Sequence, residues 1–518
     1  MERARAIADA PPRSETAADR RLAVVDVGSN TARLVLFQGS SEGSLRAVFE
    51  AKESLRLGWR VGPDGTLDAG AVERGLAGLH RFADRLEALG SPRTIGVATS
   101  AVREAPNGRT FVERVERETG LRLRILDGTE EARYAYLGVS SAWSLDHDLV
   151  CDLGGGSLQL VSTRRGAIRN SVSLPLGTLR LSQRFFEHDP PREREVEALE
   201  TEVRESLRRA LEVLGRPTGR LLGVGGTVRS LAKVAIGLRE YPIARVHGYP
   251  LRPRDLEALR ELLLELPSEK RRDLPGIGGD RADVIVAGLL VIDALRREAQ
   301  VDALTVSGTG IREGLALEEI QAKLPASADE LAHRSARAAS EALDFSIQHG
   351  ESVERLARQF FQAIADRQRW GEEERLSLSV AAWMHDAGIA IDLWRHARHS
   401  AYLIRNVPLW GLSQREVLLA SMAAYLHEGD GPPSSWRKEF LPILKGSDIE
   451  TARQLGAILY AAEALAGVEV KLGLPDGAGA LELSIAKGAQ DPPVPKALEK
   501  IRKPLHRELG LEVKLRDP

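Results

Sequence analysis

Apolar and polar positions in the first part of the chain alternate between strand-like runs and helix-spaced segments. Residues 22–38 contain two apolar runs, AVVDV and ARLVLFQ, around the polar turn GSN, which predicts a β-hairpin. A helix-spaced segment over 71–89 precedes the run TIGVAT, and a second one over 108–119 precedes the run LRLRIL. Strands that alternate with helices in this way favour a mixed α/β sheet.

The same pattern returns in the next part of the chain. LVCDLGGGSLQLVST predicts a second hairpin, which is followed by a helix over 192–214 and the strand RLLGVGG. A helix from near Thr227, a helix over 281–298 and the strand ALTVSGTG complete the unit. We therefore predict two α/β halves, residues 21–140 and 141–318, which each open with a hairpin and enclose a cleft between them.

The pattern changes after residue 318. Residues 326–467 are rich in Ala, Leu and charged positions at helical spacing, which predicts a helical domain. Residues 468–518 combine the alternating runs ALELSI and LEVKL with the helical segment KALEKIRKPLHREL, which predicts a small α+β unit. The polar residues 1–20 are expected to be disordered.

The composition is that of a soluble globular protein, with 43% hydrophobic and 28% charged residues among 518. No stretch is long and apolar enough to cross a bilayer, and residues 1–20 lack the apolar core of a signal peptide, so we expect a cytoplasmic protein without membrane contact. The single cysteine, Cys151, lies in an apolar run and excludes a disulfide framework or a cysteine zinc site. A formal net charge of -2 argues against broad nucleic-acid binding.

Polar turns with the same order of residue types close the two hairpins. Each has an aspartate at the strand end, a glycine turn and hydroxyl side chains, and such a turn presents backbone N–H groups to an anion. Ordinary turns use the same residues, but three successive glycines cost backbone entropy that a plain turn does not require. Two facing loops of this kind predict a clamp for a phosphate chain. The first loop is Asp26-Val27-Gly28-Ser29-Asn30-Thr31, and the second is Asp152-Leu153-Gly154-Gly155-Gly156-Ser157.

Two further segments place polar residues directly after strands. GVGGTVRSL opens a helix whose N-terminal N–H groups attract an anion, although its threonine alone is equally explained as a helix N-cap. ATSAVREAPNG supplies hydroxyl and guanidinium groups suited to phosphate oxygens, or simply connects a strand to a helix. The residues concerned are Gly225, Gly226 and Thr227 in the first segment, and Thr99, Ser100 and Arg103 in the second.

Two adjacent carboxylates, Glu130 and Glu131, stand near the start of the helix before the triple-glycine hairpin. Acidic residues are common at helix N-termini because the helix dipole favours them, and this is the simpler explanation. If the hairpin closes one side of the cleft, one of the two can instead act as general base toward a water that attacks a phosphoryl group.

These five elements, in this order, resemble the exopolyphosphatase and guanosine pentaphosphate phosphohydrolase family of the actin-like, sugar-kinase and Hsp70 ATPase superfamily. The matching segments are VVDVGSNTARLVLF, ATSAVREAPNG, EEARYAYLGV, DLGGGS and GVGGTVRSLA. The resemblance covers nearly the whole chain. It implies a duplicated actin-like (ribonuclease H-like) α/β fold for the two halves, followed by an all-α HD-like domain and a small α+β C-terminal segment.

The resemblance also implies roles for particular residues. Glu131 would activate the attacking water, and Asp152, together with Asp26 and Gln159, would hold Mg²⁺. Arg281 would close on the phosphates. The other residues would bind the phosphates: Ser29, Asn30, Thr31, Arg33, Thr99, Ser100, Arg103, Gly154, Gly155, Gly156, Ser157, Gly225, Gly226 and Thr227. Positioning and charge neutralisation would supply most of the catalysis.

One position departs from the family pattern. The glycine motif usually continues to a glutamate, whereas this chain continues with Leu158 and Gln159. A neutral amide is a poorer Mg²⁺ ligand than a carboxylate, so the substitution predicts weakened or lost hydrolysis.

The helical segment contains the motifs QHGESVERLA, WMHDAG and RHARHS, whose His–Asp pair resembles the metal site of HD phosphohydrolases. Its candidate ligands are His349, His385, Asp386 and Glu463, and RHARHS adds His396 and His399 nearby. A glutamate stands where such a site would have a distant aspartate. The resemblance also implies a structural or substrate-binding domain, so we expect it to be metal-free, with His385 packed between helices.

Three functions remain open on this basis. The first is a Mg²⁺-dependent hydrolase that releases terminal phosphate from inorganic polyphosphate or guanosine pentaphosphate. The second is a sensor that binds polyphosphate or the alarmone guanosine pentaphosphate/tetraphosphate with little or no hydrolysis, and the third, more distant, is a kinase or ATPase of the same superfamily. The resemblance further implies a homodimer that pairs through the helical domain.

Overall fold

A computed structural model describes residues 20–39, 45–59, 64–429, 431–473, 480–485 and 493–516 of the chain. The predicted disordered segment 1–20 lies outside the described residues, except for Arg20, where the first strand begins.

The first α/β half is built on a five-stranded sheet. Its strands are β1 (Arg20–Val27), β2 (Thr31–Gly39), β3 (Leu45–Ser54), β4 (Arg93–Ala98) and β5 (Leu123–Ile125). They lie in the order β3-β2-β1-β4-β5, and β1 pairs antiparallel with β2 and parallel with β4. Its helices are α1 (Ala69–Ala88), α2 (Ser100–Glu104), α3 (Gly108–Thr119) and α4 (Gly128–Ser140).

The second half repeats this arrangement with a six-stranded sheet. Its strands are β6 (Leu149–Leu153), β7 (Leu158–Arg164), β8 (Ala167–Leu174), β9 (Leu221–Val224), β10 (Pro250–Leu251) and β11 (Leu304–Val306). They lie in the order β10-β11-β9-β6-β7-β8, and β6 pairs antiparallel with β7 and parallel with β9. Because each sheet has the same neighbours around its first strand, the predicted duplicated actin-like fold is confirmed.

Helices cover the second sheet and lead back to the first half. They are α5 (Thr178–Phe185), α6 (Glu193–Leu214), α7 (Gly226–Leu238), α8 (Pro253–Glu265), α9 (Ser268–Arg271), α10 (Ile285–Glu298) and α11 (Ile311–Glu319). The helix predicted over 281–298 begins four residues later, so Arg281 lies in the turn before it. Every residue of α10 from Ile285 to Leu295 is buried, as expected for a helix that is apolar on nearly all sides, and the one carboxylate among them, Asp293, pairs with Arg296 and Arg297.

The last of these helices, α11, packs against α4 and β1 of the first half. Glycines allow the two helices to approach closely: a Cβ at Gly138 would lie 1.8 Å from the carbonyl oxygen of Gly310, and one at Gly314 would lie 2.0 Å from that of Tyr134. This contact matters for the site because α4 carries the two adjacent glutamates.

The remaining helices form the predicted helical region, and a small sheet follows. The helices are α12 (Ala328–Ala342), α13 (Ile347–Gln368), α14 (Glu372–Met384), α15 (His396–Asn406), α16 (Gln414–Leu426), α17 (Trp436–Glu439) and α18 (Asp448–Ala464), with a 3-10 turn at Ala387–Ala390. Strands β12 (Val470–Gly473), β13 (Ala480–Ile485) and β14 (Glu512–Arg516) flank helix α19 (Pro493–Leu509). Side chains such as Leu356, Trp383, Leu483 and Ile501 belong to one core, so the small sheet and the helices are packed as one body.

The helical region is tied to the second α/β half by aromatic and amide contacts. His247 lies between two indole rings, with ring centroids 4.7 Å from Trp143 and 4.8 Å from Trp410. The side-chain amide of Gln414 donates to the carbonyl oxygens of Arg245 at 2.8 Å and His247 at 3.1 Å. None of the described helices has the length and apolar character needed to span a membrane.

Candidate active site

The two hairpin loops have the same local geometry. In the first, the N–H of Gly28 donates to the carbonyl of Thr31 at 3.1 Å, and in the second, the N–H of Gly154 donates to that of Ser157 at 3.0 Å. Strand register places Asp26 opposite Arg33. The corresponding pair in the second hairpin is Asp152 opposite Gln159. Each loop thus presents an aspartate and one longer polar side chain at its base.

The triple-glycine loop lies directly against the first loop. A Cβ at Gly155 would lie 3.1 Å from the Cβ of Ser29, and one at Gly156 would lie 2.2 Å from the hydroxyl oxygen of Ser100. The carbonyls of Gly154 and Gly155 accept from the first N–H groups of α5, at 3.0 and 2.9 Å. Close approach between the two halves therefore explains the successive glycines.

The structure brings the predicted residues of all five segments to one cleft between the halves. Those that line it are Asp26, Ser29, Asn30, Thr31, Arg33, Thr99, Ser100, Glu131, Asp152, Gly154, Gly155, Gly156, Ser157, Gln159, Gly225, Gly226, Thr227 and Arg281. Arg103 is the exception. This side chain is not among those that line the cleft. It forms an ion pair with the carboxylate of Glu131 and donates to the carbonyl of Leu126 at 2.9 Å.

The two adjacent glutamates of helix α4 have different surroundings. Asp127 caps the helix by accepting from the N–H groups of Thr129 and Glu130, both at 2.8 Å. Glu130 completes a capping box by accepting from the N–H of Asp127 at 3.0 Å, and it also pairs with Arg124. Glu131 instead faces the cleft and is only 7% exposed.

The environment of Glu131 suits a general base. Burial raises the pKa of its carboxyl to about 7, against the opposing positive charge of Arg103. A base with a pKa near neutrality takes up a proton efficiently and is still available as a carboxylate at pH 7.

Gln159 contacts the same carboxylate. Its amide nitrogen, which carries two N–H groups, lies within hydrogen-bond distance of three acceptors: Oε2 of Glu131 at 3.1 Å, the hydroxyl of Ser157 at 2.8 Å and that of Ser173 at 3.2 Å. A glutamate here would place a second negative charge against Glu131, whereas the amide stabilises it by a hydrogen bond. The Gln159 amide nitrogen thus contacts the carboxylate of Glu131. The predicted role of Gln159 as a metal ligand stays a prediction.

Asp26 and Asp152 supply the carboxylate oxygens expected of a Mg²⁺ site. Neither carboxylate makes a hydrogen bond or an ion pair with another described side chain. Burial raises the pKa of both, and the charge of Asp26 helps to raise that of Asp152 to about 6. Two unpaired, mutually repelling carboxylates are hard oxygen donors whose repulsion a divalent cation would relieve, so the residues present fit Mg²⁺.

Four guanidinium groups line the same cleft. Arg33 and Arg281 were predicted, whereas Arg229 and Arg312 were not. Burial, together with the positive charges of Arg312 and Arg33, lowers the pKa of Arg229 to about 10. Arginines that repel one another in this way suit a multiply charged anion.

Sequence signals for the two missed arginines exist. Arg229 lies inside the segment GVGGTVRSL, and Arg312 follows the glycine turn of SGTGIREG. Thr178, at the start of α5, also lines the cleft. At the third segment, Gly225 has φ +107°, a conformation that glycine adopts without strain, and the helix α7 that follows presents its N-terminus to the cleft.

Asn30, a predicted phosphate ligand, also contacts the second α/β half. The amide of Asn30 donates to the carbonyl of Asp280 at 2.6 Å, and Lys52 forms an ion pair with the Asp280 carboxylate at 2.6 Å. Arg56 pairs with Asp283 beside it. These contacts join the first half to the turn that carries Arg281.

Comparisons with known proteins point to one family. A model of the Ppx/GppA phosphatase family matches residues 37–323, and a model of domain III of Ppx/GppA phosphatases matches residues 332–435. The crystal structure of an exopolyphosphatase from Cytophaga hutchinsonii is 28% identical, with a TM-score of 0.55, over 59% of this chain and 99% of that chain. The structure of an Aquifex aeolicus Ppx/GppA family member is 31% identical, with a TM-score of 0.50, over 58% of this chain and 98% of that chain. An exopolyphosphatase-like protein is 27% identical, with a TM-score of 0.53, over 58% of this chain and 98% of that chain.

The duplicated actin-like fold, the family match and the exopolyphosphatase among these structures support the class of phosphohydrolases. The chain belongs to the Ppx/GppA phosphatase family.

Proposed function

We propose that this protein releases the terminal phosphate from inorganic polyphosphate or from guanosine pentaphosphate, with Mg²⁺ as cofactor. The observation that carries the proposal is the position of Glu131, a carboxyl with a pKa near 7 at a cleft lined by four arginines and two glycine loops. A cleft with this charge suits an extended chain of phosphates, and the base stands at one side of it.

The proposed reaction is an in-line displacement at the terminal phosphorus. The oxygen of a water attacks while its proton passes to Glu131, and the bond from phosphorus to the bridging oxygen breaks. The products are inorganic phosphate and a chain shorter by one phosphate. Arg33, Arg229 and Arg281, with the loop N–H groups, would hold the equatorial and leaving oxygens.

Mg²⁺ would be held by Asp26 and Asp152 and would neutralise charge on the phosphate oxygens when bound. Its removal is therefore expected to lower turnover without removing the arginine contacts to the substrate. Gln159 contributes an amide here in place of a charged ligand.

The experiment is a phosphate-release assay with polyphosphate, guanosine pentaphosphate and ATP, in Mg²⁺ and after chelation. We expect Mg²⁺-dependent release from polyphosphate or the pentaphosphate that is faster than release from ATP. Direct binding of the same three compounds is measured in parallel. Binding of polyphosphate without release would favour the sensor, and release from ATP alone would favour the kinase or ATPase.

Gln159→Glu tests the unusual amide. In saturating Mg²⁺ we expect the variant to release phosphate faster than the wild type, because the site gains a charged ligand. After chelation we expect it to release phosphate more slowly than the wild type, because the new carboxylate then faces that of Glu131 with no cation between them. Steady-state rates over a Mg²⁺ titration measure both effects. Gln159→Met, which keeps the length but removes the amide, is the control. Equal turnover of Gln159→Glu and wild type in both conditions would contradict this role.

We also propose the homodimer implied by the family resemblance, paired through the helical region. Its support is a group of exposed apolar side chains there. Ile391, Leu393 and Trp394 follow one another closely and are 56%, 58% and 77% exposed, and Tyr402 on the next helix is 55% exposed. A large exposed apolar patch is typical of a protein–protein interaction site.

A further inference from the structure

A second group of chemically active side chains lies in the helical region, in addition to those of the cleft. His349 comes from α13, His385 and Asp386 follow α14, His396 begins α15 and His427 follows α16. We call these five residues the His–Asp cluster. Three of the five, His385, Asp386 and His427, are buried.

Two imidazoles of the cluster are held in one orientation by the backbone. Nδ1 of His385 lies 2.9 Å from the carbonyl oxygen of Ala382, and Nδ1 of His427 lies 2.6 Å from that of Ala424. A carbonyl oxygen only accepts, so each Nδ1 carries the proton and donates. In the neutral ring, Nε2 then carries a lone pair that faces the cluster.

These Nε2 atoms have no donor. Among the described residues, the buried Nε2 atoms of His349, His385 and His427 make no hydrogen bond. The carboxylate oxygens near them are acceptors as well: Nε2 of His349 and of His385 lie 3.7 Å from oxygens of Asp386, and Nε2 of His427 lies 3.6 Å from Glu463. Burying acceptors against acceptors is unfavourable unless a cation or a proton lies between them.

A proton can satisfy a further contact of the cluster, the one between His396 and Asp386. If His396 is protonated, its Nε2 can donate to Oδ1 of Asp386 at 3.0 Å, and its Nδ1 lies 3.2 Å from both the carbonyl of Leu393 and the carboxylate of Glu428. The Nε2 atoms of His385 and His427, whose Nδ1 atoms carry the proton, still face the cluster without a donor, and that of His349 makes no hydrogen bond either. A purely structural role for the cluster therefore leaves two buried acceptors unexplained.

The donor atoms are spaced for metal coordination. They form two sets of three that share Asp386, one with His349 and His385 and one with His396 and His427, and in each set all donor atoms lie within 4.8 Å of one another. Two ligands of one ion, each about 2.0–2.2 Å from it, lie at most about 4.4 Å apart, so a small contraction completes the coordination.

We propose that the His–Asp cluster binds a divalent transition-metal ion of the Mn²⁺, Fe²⁺, Co²⁺ or Zn²⁺ class. Imidazole nitrogens with one carboxylate suit these ions better than Mg²⁺ or Ca²⁺, which prefer all-oxygen sites. The hydrogen bonds from Nδ1 to backbone carbonyls are the outer contacts that usually orient histidine ligands. Three protein ligands in each set leave coordination positions open to water. This proposal differs from the metal-free domain that the sequence predicts, and metal analysis decides between the two.

The test is the metal content of the full-length protein, purified, incubated with Mn²⁺, Co²⁺ or Zn²⁺ and dialysed. We expect about one or two equivalents of one of these metals to remain on each chain, since two ligand sets share one carboxylate. Asp386→Asn and His427→Gln are expected to lose most of this metal and the rise in thermal unfolding midpoint that the metal gives the wild type.

Two controls separate this site from others. His399→Gln changes a histidine of the same helix as His396 that is outside the cluster, and Asp152→Asn removes a carboxylate of the cleft; both are expected to retain the metal. If the cluster variants fail to fold, the visible absorption of Co²⁺ bound to the wild type reports imidazole ligation directly. The proposal is overturned if the wild type retains no metal and shows no shift in unfolding midpoint, or if Asp152→Asn loses the metal while Asp386→Asn keeps it.

Discussion

Glu131→Gln is expected to lower the rate of phosphate release by about 10²–10⁴-fold, the usual contribution of a positioned general base. The amide keeps the shape of the side chain but cannot take the proton of the attacking water. Binding of polyphosphate is expected to persist, because the arginines and glycine loops that would hold the phosphates are unchanged. The measurements are the turnover number and the dissociation constant of the variant and the wild type.

The pH profile gives a second readout of the same residue. Because burial raises the pKa of Glu131 to about 7, the reactive carboxylate is lost as the pH falls through about 7. We therefore expect kcat/KM of the wild type to fall about tenfold per pH unit below that value.

Glu130→Gln is the matched control for Glu131→Gln. Glu130 takes part in the capping box of α4 and pairs with Arg124, so its substitution tests whether a disturbed helix alone abolishes activity. We expect it to retain nearly wild-type turnover. An equal loss in both variants would contradict the role of Glu131 as base.

Arg229→Met is expected to raise KM for polyphosphate by about 10–100-fold, which corresponds to about 1.5–3 kcal/mol for hydrogen bonds to a charged group. Arg229 lines the cleft beside Arg312 and Arg33, and these positive charges disfavour one another until an anion binds. Methionine retains much of the side-chain volume but no charge. Steady-state kinetics over a range of ionic strength measure the effect, and the variant should depend less on salt.

Two further variants distinguish a contact of Arg229 in the cleft from an effect of net charge on KM. Arg229→Lys keeps the charge and should recover part of the affinity, although it loses the planar donor geometry. Lys233→Met removes a positive charge from the exposed side of the same helix and should leave KM unchanged. If Lys233→Met raises KM as much as Arg229→Met, the effect belongs to net charge and not to a contact in the cleft.

The loops of the cleft were predictable because their signals are local. An apolar strand, an aspartate and a glycine turn fix a hairpin within a few residues, and the structure gives both loops the same turn. The assignment of Glu131 over Glu130 came from the family resemblance. The structure gives the physical difference between them, since one completes the cap of α4 and the other is buried in the cleft.

Contacts between distant segments were not predictable in this way. The close packing of α11 against α4 depends on Gly138 and Gly314, which are far apart in sequence. The absence of a Cβ at these positions matters only where the two helices are in contact. Arg229 and Arg312 lie on different helices, and nothing in the local pattern of either shows that both face one cleft. Strand β3, much of which is exposed, lies beside β2 at the edge of the sheet, and its sequence gave no strong alternation.

The sequence by itself determined the duplicated α/β architecture, the helical region after it and the two glycine hairpin loops, because strand periodicity and turn chemistry act over short distances. Only the tertiary structure decided which side chains meet. It placed the amide of Gln159 on the carboxylate of Glu131, brought four arginines to one cleft and added His427 to the His–Asp cluster. The physical reason is that burial, charge repulsion and unsatisfied hydrogen-bonding groups are properties of packed neighbours, and these neighbours lie far apart along the chain.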